Sequence, residues 1–305
     1  MIDLSTQILF STLTPEAYNI RFQLAMIAWK RRILSDEYVN AVGITQKDFI
    51  NNWLNDFEKT FTTYQDKINI MSARNGYFVA SKALSINTDI EDFISLYRDE
   101  IVLYNSTDWA KARMLRNDVA TRMKDYKSFY SGWETYLKSA QASGLSQTDR
   151  VTAYLNAGGK YFTGLRDSAN RIWRPERYAS MYANTRGSEA YNYFTEQRFI
   201  SNGGDVVLIS NHGTTTPICK EFEGKYFSLR GLTRGLPILP YQPPFHPNCK
   251  HIMLPQSGKE NDVMRETNKM KNVSILSAKQ QYTESDLKAV QKQKAYLSKN
   301  RVSAA

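Results

Sequence analysis

Phe49, Trp53, Phe57 and Phe61 recur at steps of four. On a helix of about 3.6 residues per turn they line one face, a stripe too broad and too aromatic to be left in water. A chain carrying such a stripe must supply other helices to cover it, and the rest of the first two thirds reads that way. Thr14 before Pro15 and Glu16 offers an N-cap with proline at the first helical position, and Phe22, Met26 and Trp29 then share a face. Thr45 with Asp48, and Thr88 with Glu91, have capping-box spacing, in which the hydroxyl accepts from a free amide while the carboxylate reaches back. Phe93, Leu96 and Tyr97 follow the second of these. From Asp108 to Ala140, Ala112, Leu115, Val119, Tyr126, Tyr130, Trp133, Leu137 and Ala140 alternate steps of three and four, with one lapse at Arg122. That spacing predicts a long amphipathic helix whose aromatics pack on a partner helix rather than hold a cofactor. Gly144, Ser146 and Asp149 mark a stop and a new start. Helical pattern then continues through Tyr154, Tyr161 and Leu165, breaks near Pro175 and resumes from Arg177 to Phe199.

Beyond this point the texture changes. Residues 201–205 are turn chemistry, Val206 to Ile209 read as a short buried strand, and 205–257 are proline-rich with little helical period. Residues 258–305 carry ten basic and five acidic side chains, with one expected helix from Thr283, capped by Asp286, to Asn300; this is expected to be a mobile basic tail. The fold class expected is α+β, predominantly α-helical: a helical N-terminal part over 1–144, a second part over 145–257 containing a small β/loop module at 205–257, and the tail.

Composition excludes some alternatives. With 42% hydrophobic and 23% charged residues the chain is not globally disordered. Its longest apolar run, Leu24 to Trp29, is far short of the roughly 20 residues a spanning helix needs. Asp3 and the lack of a basic residue before Arg21 argue against a secretory leader, so the chain is expected to be made and used without secretion. The net charge of +10 favours polyanionic surroundings, though an excess of surface lysine would give the same number.

Every histidine and cysteine lies in one window of forty residues: His212, Cys219, His246, Cys249 and His251. These are metal-ligand types, and a segment poor in apolar side chains gains folding free energy directly from a zinc site. His246 and Cys249 can turn toward one point, and Cys249 and His251, two apart on a strand, would share a face. Cys219 would come from a distant loop, with His212 as a reserve ligand or as a partner to one. A polar cluster without metal, or a disulfide between the two cysteines, stays open. Catalytic patterns are absent: there is no G-x-x-x-x-G-K-[ST], G-x-G-x-x-G or H-E-x-x-H, and Glu223-Gly224-Lys225 is a weak likeness of the first. Glu221 or Glu223 could act as a general base only at a site short of one ligand.

The segment Asn211 to Phe227, a glycine-containing spacer, and Pro243-Pro-Phe-His-Pro-Asn-Cys-Lys-His251 resemble the C-terminal motif of the phage Mu F-like minor head proteins, as does Tyr182 to Asn192 upstream. The resemblance spans about 150–256. It departs from the family pattern at Thr216 and His251, which stand at cysteine positions, and at Glu223, which stands at an aspartate. The Arg-Thr-Glu motif is scrambled around Thr185, Arg186 and Glu189. Lys250-His251 is also similar to the minor capsid proteins of phages of Gram-positive hosts. The resemblance implies a minor structural protein of a tailed-phage virion, inside the head near the portal vertex and made in the host cytoplasm. It would act in head assembly, DNA packaging or genome delivery, with portal or major capsid protein as partners. Packaged DNA would meet the basic tail and Arg166, Arg171, Arg174, Arg177 and Arg186, although these arginines could equally be solvated or bridge acidic neighbours. The alternative is a metal-dependent enzyme, a nuclease or delivered effector, for which 258–305 is short as a catalytic domain.

Overall fold

The computed structural model describes residues 13–33, 44–125 and 163–257, together with 144–146, 148, 149 and 153. It is an α+β chain dominated by helix. In order, the elements are α1 (Pro15–Arg32), α2 (Ile44–Ala83), α3 (Ile90–Asp125), β1 (Leu165–Arg166), β2 (Ile172–Trp173), α4 (Pro175–Ser201), β3 (Val206–Ile209), α5 (Pro217–Lys220), β4 (Tyr226–Ser228) and β5 (Met253–Gln256). Among the described residues no helix is long and apolar enough to cross a membrane.

The caps explain the boundaries. Thr14 Oγ1 accepts from the Ala17 amide, 3.3 Å, with Pro15 opening α1, and Lys30, Arg31 and Arg32 sit in the last turn, where the helix dipole favours cations. At α3 the reciprocal cap is made one residue later than the sequence suggests. The Asp92 amide donates to Asp89 Oδ1, 2.9 Å, and the Asp89 amide to Asp92 Oδ2, 3.2 Å, with the Thr88 hydroxyl on the same carboxylate. The two helices expected from Thr88 and from Asp108 are one. Ser106 and Thr107, which could have broken it, donate their hydroxyls to the carbonyls of Leu103 and Tyr104 and stay within the helix. The expected continuation through Tyr126, Tyr130, Trp133, Leu137 and Ala140, the pattern at Tyr154 and Tyr161, the side chain of Thr45 and the tail helix lie outside the described residues.

Among the described residues the chain divides into two compact units, one within 12–68 and 99–183, the other within 69–98 and 184–305. In the first, Phe22, Met26 and Trp29 of α1 pack with Trp53, Phe57 and Phe61 of α2, all buried. Phe22 meets Phe61 edge-on at 5.2 Å between centroids. Ala112, Leu115 and Val119 of α3 are buried as their spacing predicts. The short β1–β2 hairpin is held by Asp167, which accepts from the Ala169 and Arg171 amides, the Arg171 guanidinium and the Trp173 indole.

In the second unit, α2 and α4 approach closely at Gly76, where a Cβ would stand 2.2 Å from the Tyr191 carbonyl oxygen. Three strands form an antiparallel sheet in the order β4-β3-β5, with Val207 opposite Phe227 on one side and Pro255 on the other. Its core is Phe199, Val207, Ile209, Ile218, Phe222, Phe227, Leu239, Phe245 and Met253, and both cysteines are part of it.

Candidate metal centre

α5 is a single turn opened by Pro217, and it buries Ile218 and Cys219 in the core beneath the sheet. The loop before β5 returns to the same place. The buried ring of Phe245 stacks on Phe222 at 4.4 Å, and the Cys249 amide bonds the His246 carbonyl, 3.0 Å, in a turn that directs both side chains inward. As a result Cys219, His246 and Cys249 can each offer one ligand atom, all within 4.8 Å of one another.

The two sulfurs are 3.7 Å apart and both thiols are free. Two thiolates about 2.3 Å from one tetrahedral zinc are separated by about 3.8 Å, so the spacing suits a shared ion, whereas a disulfide needs about 2.05 Å. The electrostatics favour a ligand as well. The hydrogen bond from Cys219, against the cost of burial, and a further bond from His246 hold the Cys249 thiol well below its usual range, while the same contact and burial push Cys219 up. The Cys249 sulfur raises His246 against its burial, and His246 Nδ1 lies 2.8 Å from the Pro247 carbonyl oxygen. A buried pair of thiols, one of them biased toward ionisation, beside an imidazole is a site that would readily exchange its protons for a cation.

The other two expected ligands stand beside this group. His251 is 3% exposed, with Nδ1 3.3 Å from Cys249 Sγ, but a loop brings it there, since β5 begins only at Met253. Its Nε2 has no hydrogen-bond partner of ordinary geometry; the nearest carboxylate oxygen is Glu223 Oε1 at 3.4 Å. The His212 ring meets that of His251 edge-on at 5.0 Å and shares a hydrogen bond with the Ser210 hydroxyl, 2.9 Å.

Glu223 holds the rim. It accepts from the amides of His212 and Thr214. Burial pushes its carboxyl up, but those amides and His251 outweigh burial and keep it below the usual range. Sequence reasoning saw Glu223 as a stand-in base; in the structure it is committed to the backbone of 212–214. Ser210 was not anticipated. It accepts from the Ile252 amide, 3.0 Å, and so ties the His212 segment to the strand that follows His251.

The five arginines divide. Arg171 pairs with Asp167 at 2.7 Å, Arg186 with Glu189 at 2.6 Å, and Arg166 lies 3.6 Å from Asp118. Arg174 and Arg177 are exposed and without an ion pair among the described residues.

A family model described as phage minor capsid protein 2 matches residues 110–301, a span that includes all five histidines and cysteines and well over half of the chain. No curated protein and no solved structure matches.

Proposed function

Because the chain belongs to the phage minor capsid protein 2 family, we propose that it is a minor structural protein held inside the head of a tailed phage. It sits near the portal vertex and acts in head assembly, DNA packaging or genome delivery. Portal or major capsid protein is its docking partner, and its 205–257 module is of the Mu F-like kind. The family match carries this reading. The placement of both cysteines inside an apolar core supports it, because ligands embedded in packing brace a fold more readily than they receive a substrate.

Zinc is the ion this donor set suits, with Cys219, His246 and Cys249 to hold it. Bound there, it would cross-link the α5 turn to the 245–251 loop. His251, buried against Cys249 Sγ, orients that sulfur. A three-ligand set is also the pattern of catalytic zinc, so an enzyme is the second reading, though Glu223 is already engaged by two amides. Metal-dependent cleavage of DNA or protein by the purified chain would establish it.

DNA meets Arg174, Arg177 and the basic 258–305 segment without sequence preference. Binding should weaken steeply as salt rises; salt-insensitive, sequence-selective binding would count against it. The decisive test of the assignment is quantitative mass spectrometry of purified particles. A few copies per head are expected, and absence from the particle would overturn the proposal.

A further inference from the structure

From Gly224 to Ser257 there is no aspartate or glutamate, whereas Lys225, Arg230, Arg234 and Lys250 are all present. Within this stretch residues 228–239 form a loop closed at its base, where the Ser228 amide bonds the Pro237 carbonyl and the Leu239 amide the Ser228 carbonyl, both at 2.9 Å. One carboxylate sets its path. Asp205 accepts from the Ser228 hydroxyl at 2.7 Å, the Arg230 amide at 2.9 Å, and the Thr233 amide and hydroxyl at 3.0 and 2.7 Å. The Arg230 guanidinium is spent on the carbonyls of Gly203 and Gly204. Gly231 and Gly235 take φ of +74° and +90°, turns that side chains with a Cβ resist.

This well-tied loop turns Leu236 and Leu239 inward but leaves Leu232 66% and Ile238 58% exposed. Arg234 is exposed and has no ion pair among the described residues. A path fixed by so many bonds does not let the two apolar side chains fold back onto the core. It does lower the ordering cost of burying them against something else. Aliphatic tips are poor partners for nucleic acid, whose single strands stack on aromatics and whose phosphates need cations.

We propose that the 228–239 loop is a preformed docking knob that inserts Leu232 and Ile238 into an apolar recess rimmed by carboxylates on another protein of the phage particle. Arg234, the loop's exposed cation, favours an acidic rim and repels a basic one. The proposal rests on the virion assignment above, and its test separates the two.

A photo-reactive p-benzoylphenylalanine placed at position 232, in particles complemented with that variant, should cross-link to a virion protein within a peptide of net negative charge. Particles that contain the chain but yield cross-links only to DNA, to a net positive peptide or to nothing would overturn the knob while leaving the assignment intact. Particles lacking the wild-type chain would overturn both. The double variant Leu232→Ser with Ile238→Ser, whose sites are exposed, should melt as the wild type does yet enter particles at least about tenfold less. Arg234→Glu should enter less well than Arg234→Lys. Undiminished entry of the double variant would sink the idea. So would cosedimentation of the wild type with phosphatidylserine-rich vesicles that the double variant loses, since the occupant would then be lipid.

Discussion

Trp29 and Trp53 hydrogen-bond to each other twice: the indole of Trp29 donates to the Trp53 carbonyl at 2.9 Å, and the indole of Trp53 to the Trp29 carbonyl at 2.7 Å. Their rings stack at 4.2 Å, 10° from parallel. The Trp29 carbonyl lies in the last turn of α1, where intrahelical donors run out, so the partner's indole caps it from outside the helix. Trp53→Phe keeps most of the stack and removes that donor, and should cost about 1–3 kcal/mol in denaturant unfolding. Trp53→Ala should cost about 3–5 kcal/mol. No loss in Trp53→Phe would show that the hydrogen bond contributes nothing.

The chain as purified should carry about one zinc. Cys219→Ser, Cys249→Ser and His246→Ala should each lose it and lower the melting temperature. His251→Ala should keep the metal with affinity reduced about 10–100-fold. Elemental analysis beside thermal melts checks this, and a strong chelator should reproduce the melting of the cysteine variants. Metal retained by Cys249→Ser would place the ligands elsewhere.

Asp66 sets a pH dependence. Burial pushes its carboxyl up to about 7, against the bond from the Trp109 indole and with the Asp108 carboxylate adding to the rise. The folded chain therefore holds a proton that the unfolded chain releases near its ordinary 3.8. This contribution is complete below about pH 4 and is lost as pH rises through about 7, on the order of a few kcal/mol. Asp66→Asn should melt higher than wild type at pH 8, and the gap should close on acidification. A gap independent of pH between 4 and 8 would contradict this.

Gly76→Ala should be strongly destabilising. The new Cβ would meet the Tyr191 carbonyl oxygen at 2.2 Å and the Thr195 hydroxyl at 2.6 Å, and a helix backbone cannot step aside as a flexible side chain can. A loss of about 1–3 kcal/mol or more is expected from equilibrium unfolding. A neutral effect would mean that α2 and α4 do not approach as described.

The aromatic stripe of α2 was legible in the sequence because burial on a helix repeats with the helix's own period: Trp53, Phe57 and Phe61 are all buried. Leu96 shows the limit of that reading. It lies between Phe93 and Tyr97, which are buried, yet is itself 56% exposed, since a step of one residue turns a side chain about 100° around the axis. At the metal centre the residue types and their window were legible, but not the ligand set. Nothing in the spacing separates His246, which joins the two sulfurs, from His251 and His212, which stand beside them. Glu223 and Asp205 were illegible as anchors because a lone carboxylate in a loop has no period, and the groups each binds are set by turns.

What the chain by itself determined, then, is local. Proline and threonine at the start of α1, the long apolar repeats and the change of texture after residue 201 report preferences each segment holds without its neighbours. Tertiary structure decided which groups meet: that a one-turn helix would carry Cys219 to 3.7 Å from Cys249, thirty residues on, and that one carboxylate would gather Ser228, Arg230 and Thr233. Such meetings depend on how distant segments close over a shared core, and local periodicity holds no record of that closure.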